Sequence, residues 1–184
     1  MLLTPGPTPV PEFVRKAMSD ITIHHRTEEF EAIFKNTREL LIELYDMPEV
    51  VMLASSGTGA MEACVTNLTH KKALTINSGK FGERFGKICA AFGIDYTEIK
   101  NEWNTPVSVE AVINAIKADS SIDAVFIQIC ESAGGLRHPV EEIAAEIKKI
   151  NKDITIVADG ITAVGVEKID TTNLDAVVTG SQKA

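Results

Sequence analysis

Hydrophobic and polar residues alternate along the chain in blocks that predict strands followed by helices. The short, continuous apolar runs typical of strands covered on both faces occur at residues 50–54, 73–76, 124–127, 154–158 and 176–178. Between these runs, apolar residues recur at helical spacing, and the alternation at residues 94–99 indicates an outer strand. Because strands alternate with helices, we predict an α/β fold with a mainly parallel sheet.

Three helix starts are marked by residues that favour them. Thr27 is a suitable N-cap for a helix that extends to residue 45, with acidic residues in its first turn and apolar residues along one face. Ser108 is a second N-cap, and Pro139 suits the start of a third helix. These signals fix the N-termini of three of the predicted helices.

The remaining segments set the organisation of the chain. Several prolines and a short helix after Pro11 predict an N-terminal arm over residues 1–26, which has little to pack on alone, followed by one domain over residues 27–184. Only a turn-like segment separates the last two apolar runs, and it is too short for a full crossover helix. The last two strands are therefore either antiparallel or joined by an unusual connection.

The composition argues against several classes of partner and ligand. A formal net charge of −8 without a basic run disfavours nucleic acid or an anionic membrane as the main partner. We see neither a signal peptide nor an apolar run long enough to span a membrane. The histidines form no HExxH or Cys/His cluster, so we expect no metal site. Unpaired cysteines without CxxC spacing indicate reduced thiols in a cytoplasmic protein: Cys64, Cys89 and Cys130.

Small and polar residues follow the predicted strands, at the end of the sheet where open α/β folds bind ligands. Ser56-Gly57-Thr58-Gly59 leads into a helix whose free amides and dipole favour a phosphate, although the same residues suit a tight turn without a ligand. Nucleotide binding is disfavoured, because Glu62 stands where the third glycine of a dinucleotide motif would be. No Lys-Ser/Thr pair follows for a P-loop either.

Asp159 and Lys183 follow predicted buried strands. A carboxylate in such a place is poorly solvated, so Asp159 either faces a cation or caps a loop, and Glu131 poses the same question. Lys183 is either a solvated strand end or a reactive amine. A phosphate cradle, a buried carboxylate and a lysine together are what pyridoxal 5'-phosphate needs, for its phosphate, its protonated ring nitrogen and its aldehyde.

Six segments in order along the chain carry a more specific resemblance. They are Thr4-Pro5-Gly6-Pro7-Thr8, Ser56-Gly57-Thr58-Gly59-Ala60-Met61-Glu62-Ala63, Asn77-Ser78-Gly79-Lys80-Phe81-Gly82, Glu131-Ser132, Ala158-Asp159-Gly160-Ile161 and Ser181-Gln182-Lys183-Ala184. In this ordered set the chain resembles the class V aminotransferases, and within them the serine–pyruvate and alanine–glyoxylate enzymes. The resemblance implies the large domain of fold-type I pyridoxal-phosphate-dependent transferases, a mostly parallel sheet covered by helices on both faces.

The resemblance also implies roles for matching residues. Lys183 would be the Schiff-base lysine and later the proton shuttle at the substrate α-carbon, and Asp159 would pair with the ring nitrogen of the cofactor. The residues that would hold the cofactor phosphate are Ser56, Gly57, Thr58 and Gln182.

Three more residues would contact the cofactor ring. The segment around one of them, Ser132, departs from the family. Phe81 would stack on one face, where related enzymes often have tryptophan, Ile161 would press on the other, and Ser132 would reach the hydroxyl side. The family has a histidine where this chain has Ile129, and a Ser-Thr-Gly where it has Ala133-Gly134-Gly135. These changes remove side-chain hydrogen-bond donors from the rim of the expected cofactor site. The resemblance therefore does not identify the substrate.

For the whole protein, the resemblance implies transamination between a small amino acid, alanine or serine, and a 2-oxo acid, pyruvate or glyoxylate, in a homodimer. A related lyase or desulfurase is an alternative, but desulfurases place histidine before the lysine, where this chain has Gln182. A binding module that kept the fold and lost the chemistry is another.

Family members are longer, and the chain resembles their N-terminal half. We therefore expect the small domain to be absent and the chain alone to lack turnover, with Lys183 poorly fixed so close to the end. None of the arginines matches the residue that binds the substrate carboxylate in the family: Arg15, Arg26, Arg38, Arg84 and Arg137.

Overall fold

The structure is a computed structural model that describes residues 3–183; Met1, Leu2 and Ala184, at the ends of the predicted arm and domain, lie outside the described residues. The helices are α1 (Glu12–Met18), α2 (Glu28–Tyr45), α3 (Gly57–Leu68), α4 (Gly82–Phe92), α5 (Val109–Ala118) and α6 (Val140–Ile150). The strands are β1 (Lys72–Asn77), β2 (Tyr96–Lys100), β3 (Ile122–Gln128), β4 (Cys130–Glu131), β5 (Leu136–Arg137), β6 (Thr155–Asp159) and β7 (Ala176–Val178).

Five strands form one parallel sheet in the order β2-β1-β3-β6-β7. Val125 at its centre pairs with Leu74 on one side and Ile156 on the other. The predicted α/β fold with a mainly parallel sheet is therefore confirmed, and residues 94–99 do form the outer strand β2. The antiparallel hairpin of β4 and β5 has no counterpart in the sequence prediction.

Helices cover both faces of the sheet, as the resemblance implied. On one face α5 and α6 contribute buried residues such as Val112 and Ile147, and on the other α3 and α4 contribute Met61 and Phe85. The ring of Phe85 lies 5.2 Å from that of Phe126 in β3, centroid to centroid. Each such buried side chain contributes about 1.5–3 kcal/mol, so the two layers hold the strand ends firmly in place.

The predicted helix starts agree with the structure. The Thr27 hydroxyl accepts a hydrogen bond from Phe30 N at 3.3 Å, and the Ser108 hydroxyl accepts one from Ala111 N at 3.1 Å. Helix α6 begins directly after Pro139. In each case a residue suited to a helix start stands where the backbone enters the helix.

The last two strands, β6 and β7, are parallel, so the antiparallel alternative is wrong. Their connection, residues 160–175, contains turns and an isolated bridge in place of a crossover helix. Asp175 anchors the end of this segment, because its Oδ2 accepts hydrogen bonds from Ile156 N and from Lys148 Nζ, both at 2.7 Å. This charged bond, whose Asp175 end is 41% exposed, thus ties the connection to α6 in the absence of a crossover helix.

The prediction of a strand at residues 50–54 is wrong. The segment is irregular, and Val51 and Leu53 are 77% and 47% exposed. A groove of about 510 Å³, lined by Val50, Leu53 and Val177, separates it from β7 at the edge of the sheet. An apolar run forms a strand only where a neighbouring backbone supplies hydrogen bonds, and none reaches these residues within the described chain.

Helix α2 has the predicted apolar face, but no residue of it is buried, and Leu40 and Leu44 are 58% and 60% exposed.

Among residues 3–183, no helix is long and apolar enough to cross a membrane. Within the same residues, no cluster of three or more histidine, cysteine or acidic side chains is arranged to hold a metal ion.

Candidate active site

A cavity of about 90 Å³ lies at the carboxyl end of the sheet, between the end of β6, the N-terminus of α3 and the end of the described chain. All the predicted site residues except Ser132 line it. The lining residues are Ser56, Gly57, Thr58, Phe81, Arg84, Cys130, Asp159, Ile161, Thr162, Gln182 and Lys183. The fold therefore brings together residues that are far apart in the sequence.

The cavity is small because two long side chains reach into it. Lys183 Nζ lies 5.0 Å, and Arg84 Cζ 4.9 Å, from the ring centroid of Phe81. Wider clefts of about 510 Å³ occur beside α2 and beside β7. Neither joins a buried carboxylate to a partly buried lysine, and we place the candidate site at the smaller cavity for that reason.

Asp159, the last residue of β6, places a carboxylate at the floor of the cavity. Its side chain is 5% exposed, and its one hydrogen bond within the described chain is accepted by Oδ1 from Ile161 N at 3.0 Å. Burial raises the pKa of Asp159 to about 6, against the opposing effects of the Ile161 amide and the charges of Lys183 and Arg84. A carboxylate with so little solvation is stabilised by a cationic hydrogen-bond donor.

Lys183 directs its amine toward two hydroxyl groups. Nζ lies 2.7 Å from Thr162 Oγ1 and 3.3 Å from Ser132 Oγ, and no carboxylate in the described chain lies within ion-pair distance of it. The amine is thus oriented without being neutralised by an acid. In its deprotonated form, an amine placed in this way can react with a carbonyl group.

The residues before α3 form an anion-binding geometry. The Ser56 hydroxyl accepts from Gly59 N at 3.4 Å as the N-cap, so the side chain satisfies one of the first amides of the helix. A Cβ on Gly57 would lie 2.3 Å from Ile161 Cδ1, which shows how closely the backbone and Ile161 pack here. The amides of Gly57 and Thr58 come before the first intrahelical hydrogen bond, at the positive end of the helix dipole.

Phe81 is fixed at the cavity by a buried glutamate. Glu131 is fully buried, and its Oε2 accepts hydrogen bonds from Phe81 N at 2.9 Å and Gly82 N at 2.8 Å. Its Oε1 accepts from Ala133 N at 3.1 Å, beside Ser132. The question that the sequence left open for Glu131 thus has a structural answer, because the carboxylate joins the start of α4 to the loop that holds Ser132.

The N-terminal arm also reaches the cavity, which sequence reasoning missed. Thr8 N donates to Gln182 O at 3.3 Å, and the Thr8 hydroxyl donates to Lys183 O. These two bonds fix the backbone at Lys183, where we had expected it to be poorly held. The prolines and glycine at the start of the arm were visible in the sequence, but not the place where they pack.

Three further residues of the cavity, Thr162, Arg84 and Cys130, were absent from the predicted set. Thr162 lies in the turn after Asp159, and its hydroxyl is the nearer of the two partners of Lys183 Nζ. Arg84 stands three residues after Phe81, and this helical spacing places the two side chains on one face. The spacing was a usable signal for Arg84, whereas nothing in the local sequence marks Thr162.

Comparisons with known proteins agree with this geometry. The family model for class V aminotransferases matches residues 2–184. An uncharacterized aminotransferase from Helicobacter pylori is 51% identical over 184 residues, which cover all of this chain and 50% of that protein. The serine–glyoxylate aminotransferase of Methylorubrum extorquens is 27% identical over 190 residues, which cover 99% of this chain and 47% of that protein.

A solved structure gives the same result. The crystal structure of an aspartate aminotransferase from Thermus thermophilus superposes with a TM-score of 0.90 at 30% identity, covering 98% of this chain and 52% of that one. The chain therefore spans about half the length of the relatives that it matches.

Proposed function

The chain belongs to the class V aminotransferase family, and on that basis we propose that the protein uses pyridoxal 5'-phosphate to transfer an amino group from a small amino acid to a 2-oxo acid. Alanine or serine is the donor in this proposal, and pyruvate or glyoxylate the acceptor. The serine–glyoxylate activity named for the Methylorubrum extorquens relative supports this choice of substrates. Residues 27–184 form the cofactor-binding domain in this proposal, with residues 1–26 as an arm.

One observation carries the proposal: an amine held only by hydroxyl groups and a nine-tenths buried carboxylate line the same cavity. Lys183 supplies the amine and Asp159 the carboxylate. A structural lysine at such a place would be expected to pair with the acid. Their separate environments instead match the two functions that a pyridoxal enzyme needs.

The residues present fit the cofactor. Asp159 has room for one more donor, as a protonated ring nitrogen would supply, and its raised pKa shows the cost of leaving the carboxylate without one. The amides at the start of α3, with the side chains of Ser56, Thr58 and Gln182, offer donors for the phosphate. Phe81 and Ile161 offer apolar surface to the two faces of the ring.

When bound, pyridoxal phosphate supplies an aldehyde carbon that bonds to amines and a ring that withdraws electrons from the substrate α-carbon. Asp159 would accept a hydrogen bond from the protonated ring nitrogen, and the positive charge kept there would strengthen the withdrawal. The groups at the N-terminus of α3 would hold the phosphate and so fix the position of the ring.

Lys183 performs the proton transfers. Its Nζ would accept the proton from the substrate α-carbon and give it up again as the amino group is transferred. Thr162 and Ser132 hold Nζ over the ring of Phe81 and orient its lone pair. Hydroxyl partners suit this role, because they hold the amine without fixing its charge.

We further propose that the protein works as a homodimer in the cytoplasm. The apolar face of α2 supports dimerisation, since Ile33, Phe34, Leu40 and Leu44 are all more than 45% exposed. Exposed apolar surface of this extent is typical of interfaces. Analytical ultracentrifugation of the purified protein would give its oligomeric state, and a monomer at micromolar concentration would contradict the dimer.

The activity is tested by adding pyridoxal phosphate to the purified whole protein, since residues 1–184 alone are expected to lack turnover. Pairs of donor and acceptor are then supplied, alanine with glyoxylate and serine with pyruvate. The proposal predicts visible absorbance from the bound cofactor and the formation of both a new amino acid and a new 2-oxo acid. Elimination or sulfide products would support the lyase or desulfurase alternative. A protein that binds no cofactor would be a non-catalytic module.

A further inference from the structure

Arg84 lies in the candidate site but has no part in the function described so far. It is in the first turn of α4, where Nη1 donates to Thr58 Oγ1 at 2.8 Å and Cζ lies 4.9 Å from the ring centroid of Phe81. Arg84 therefore joins the residues proposed for the phosphate to the residue proposed for the ring. Its side chain lies inside the cavity rather than on the outer surface of α4.

Arg84 forms no ion pair, although the Asp159 carboxylate lies in the same cavity. In the part of the chain that the structure describes, no carboxylate lies within ion-pair distance of its guanidinium. By contrast Lys80, just before α4, and Lys87, in the middle of α4, both pair with Glu83. The guanidinium also lies beside the positive end of α3, since Thr58 is in the first turn of that helix. Two positive groups facing one cavity are stabilised by a bound anion.

The hydrogen bond from Arg84 fixes the orientation of the Thr58 hydroxyl. Thr58 Oγ1 accepts from Arg84, and the hydroxyl has one proton left to donate. That proton has no acceptor within residues 3–183, and it is free to bond to an oxygen in the cavity. Arg84 thus keeps Thr58 as a donor toward the ligand while it offers its remaining N–H groups.

We propose that Arg84 is a further cofactor-binding residue, which with Thr58 and the N-terminus of α3 holds the dianion of a phosphate monoester. This proposal rests on the proposed function and adds a residue to its site. A guanidinium suits a phosphate because two parallel N–H donors match two phosphate oxygens, and bonds between two charged groups are about twice as strong as neutral ones.

The test separates the phosphate from the rest of the cofactor. Isothermal titration calorimetry of the protein is done with pyridoxal 5'-phosphate and with pyridoxal, which lacks the phosphate. The variants are Arg84→Met, which keeps an apolar stem beside Phe81, Arg84→Lys, which keeps the charge, and Lys87→Gln as a control that removes a charge from the exposed side of α4.

We expect Arg84→Met to weaken binding of pyridoxal phosphate by about 10- to 100-fold, the value of a charged hydrogen bond, and to leave pyridoxal binding unchanged. The affinity of Arg84→Lys for pyridoxal phosphate should fall between those of Arg84→Met and the parent. The affinity of Lys87→Gln should match that of the parent. In a Thr58→Val background the Arg84→Met effect should be smaller, because the two residues act together.

Equal affinity of the parent and Arg84→Met for pyridoxal phosphate would overturn the proposal. If that variant had a raised KM for the amino-acid substrate as well, Arg84 would act on the substrate carboxylate instead. Equal losses for pyridoxal phosphate and pyridoxal would also overturn it, since Arg84 would then act through the ring of Phe81. A parent protein that binds neither compound would contradict the proposed function itself.

Discussion

Gly6 lies against the side chain of Lys183, so closely that a Cβ on Gly6 would come 2.7 Å from Lys183 Cγ. The two residues lie near opposite ends of the sequence and meet at the cavity. Thr8, on the same arm, bonds to the backbone at Lys183. The arm therefore forms part of the candidate site, because it fixes both the backbone and the side chain of the proposed reactive lysine.

The first prediction concerns this contact. Gly6→Ala should push the aliphatic part of Lys183 aside, at a cost of about 1–3 kcal/mol for overpacking, and move Nζ away from Thr162. We expect cofactor incorporation at Lys183 to slow by about tenfold or more, which corresponds to the lower part of that energy range. The rate is measured from the absorbance change on mixing with pyridoxal phosphate.

The control for the arm is Leu3→Ala, because Leu3 is 87% exposed. It should incorporate cofactor at the parent rate. If Gly6→Ala also matched the parent, the close approach of Gly6 to Lys183 would have no role in placing the amine.

The second prediction concerns Asp159, whose pKa is raised from an ordinary 3.8 to about 6 by burial. The folded chain holds this proton more tightly than the unfolded chain, so folding stability is lost as the pH rises through 6. The full penalty at pH 8 is about 3 kcal/mol at most. Asp159→Asn removes the charge and should therefore stabilise the cofactor-free protein at pH 8 but not at pH 4.

Chemical denaturation at the two pH values measures this difference, and Asp153→Asn, at an exposed carboxylate just before β6, is the control. The same Asp159→Asn variant should lose turnover by about 100- to 1000-fold, as expected when a charged partner of the transition state is removed. A variant that is less stable at pH 8 and fully active would make Asp159 a loop cap.

The third prediction concerns His138, which lies outside the candidate site. It is 1% exposed, Nδ1 accepts from Val107 N at 3.2 Å, and Nε2 is buried without a partner in the described chain. Burial lowers the pKa of His138 from 6.5 to about 4. The unfolded chain takes up this proton first, so stability should fall by about 3 kcal/mol as the pH falls from 6.5 to 4.

His138 and Asp159 act in opposite directions over much of the same pH range, and the parent protein should therefore show a weak net dependence there. His138→Asn keeps an acceptor for Val107 N but does not titrate. In this variant the free energy of unfolding should therefore rise as the pH falls and Asp159 takes up its proton. His70→Asn, at an exposed histidine, should behave as the parent. A steep loss of stability in His138→Asn below pH 6 would show that other groups dominate.

The fourth prediction concerns Glu131, which accepts three backbone hydrogen bonds. In Glu131→Gln an amide group must face at least one N–H donor, so stability should fall by about 1.5–3 kcal/mol, the value of a hydrogen bond to a charged group. Urea denaturation measures this loss against Glu102→Gln, an exposed control. A loss below about 0.5 kcal/mol, the range of surface substitutions, would show that the buried carboxylate does not hold Phe81 in place.

Local patterns in the sequence predicted the central parts of this fold well. The runs at residues 73–76 and 124–127 became strands because each finds a partner on both sides, and the cap residues Thr27 and Ser108 act within one helical turn. The run at residues 50–54 is equally apolar but lacks a partner backbone. Periodicity reports which residues prefer burial, and it does not report which strand will be adjacent.

The candidate site shows the same limit. Asp159 and Lys183 could be chosen because each follows an apolar run, and the sheet brings the ends of such runs together. Thr162, Gly6 and Arg84 depend on how a turn, an arm and a helix face pack against that end. The positions of Thr162 and Gly6 result from tertiary contacts between distant segments, which no local pattern encodes. For Arg84 the three-residue spacing from Phe81 was a local signal for the shared helix face, but not for the cavity that this face meets.

The most direct test of the account is to find the residue that carries the cofactor. The protein is incubated with pyridoxal phosphate, treated with borohydride to make the bond between cofactor and amine permanent, and digested for peptide mass spectrometry. Lys183→Ala serves as the test variant and Lys80→Ala, at an exposed lysine beside Phe81, as its control. We expect the added mass on Lys183 in the parent and in Lys80→Ala, and no fixed cofactor in Lys183→Ala. Cofactor fixed on another lysine, or equally in Lys183→Ala and the parent, would contradict the assignment of Lys183.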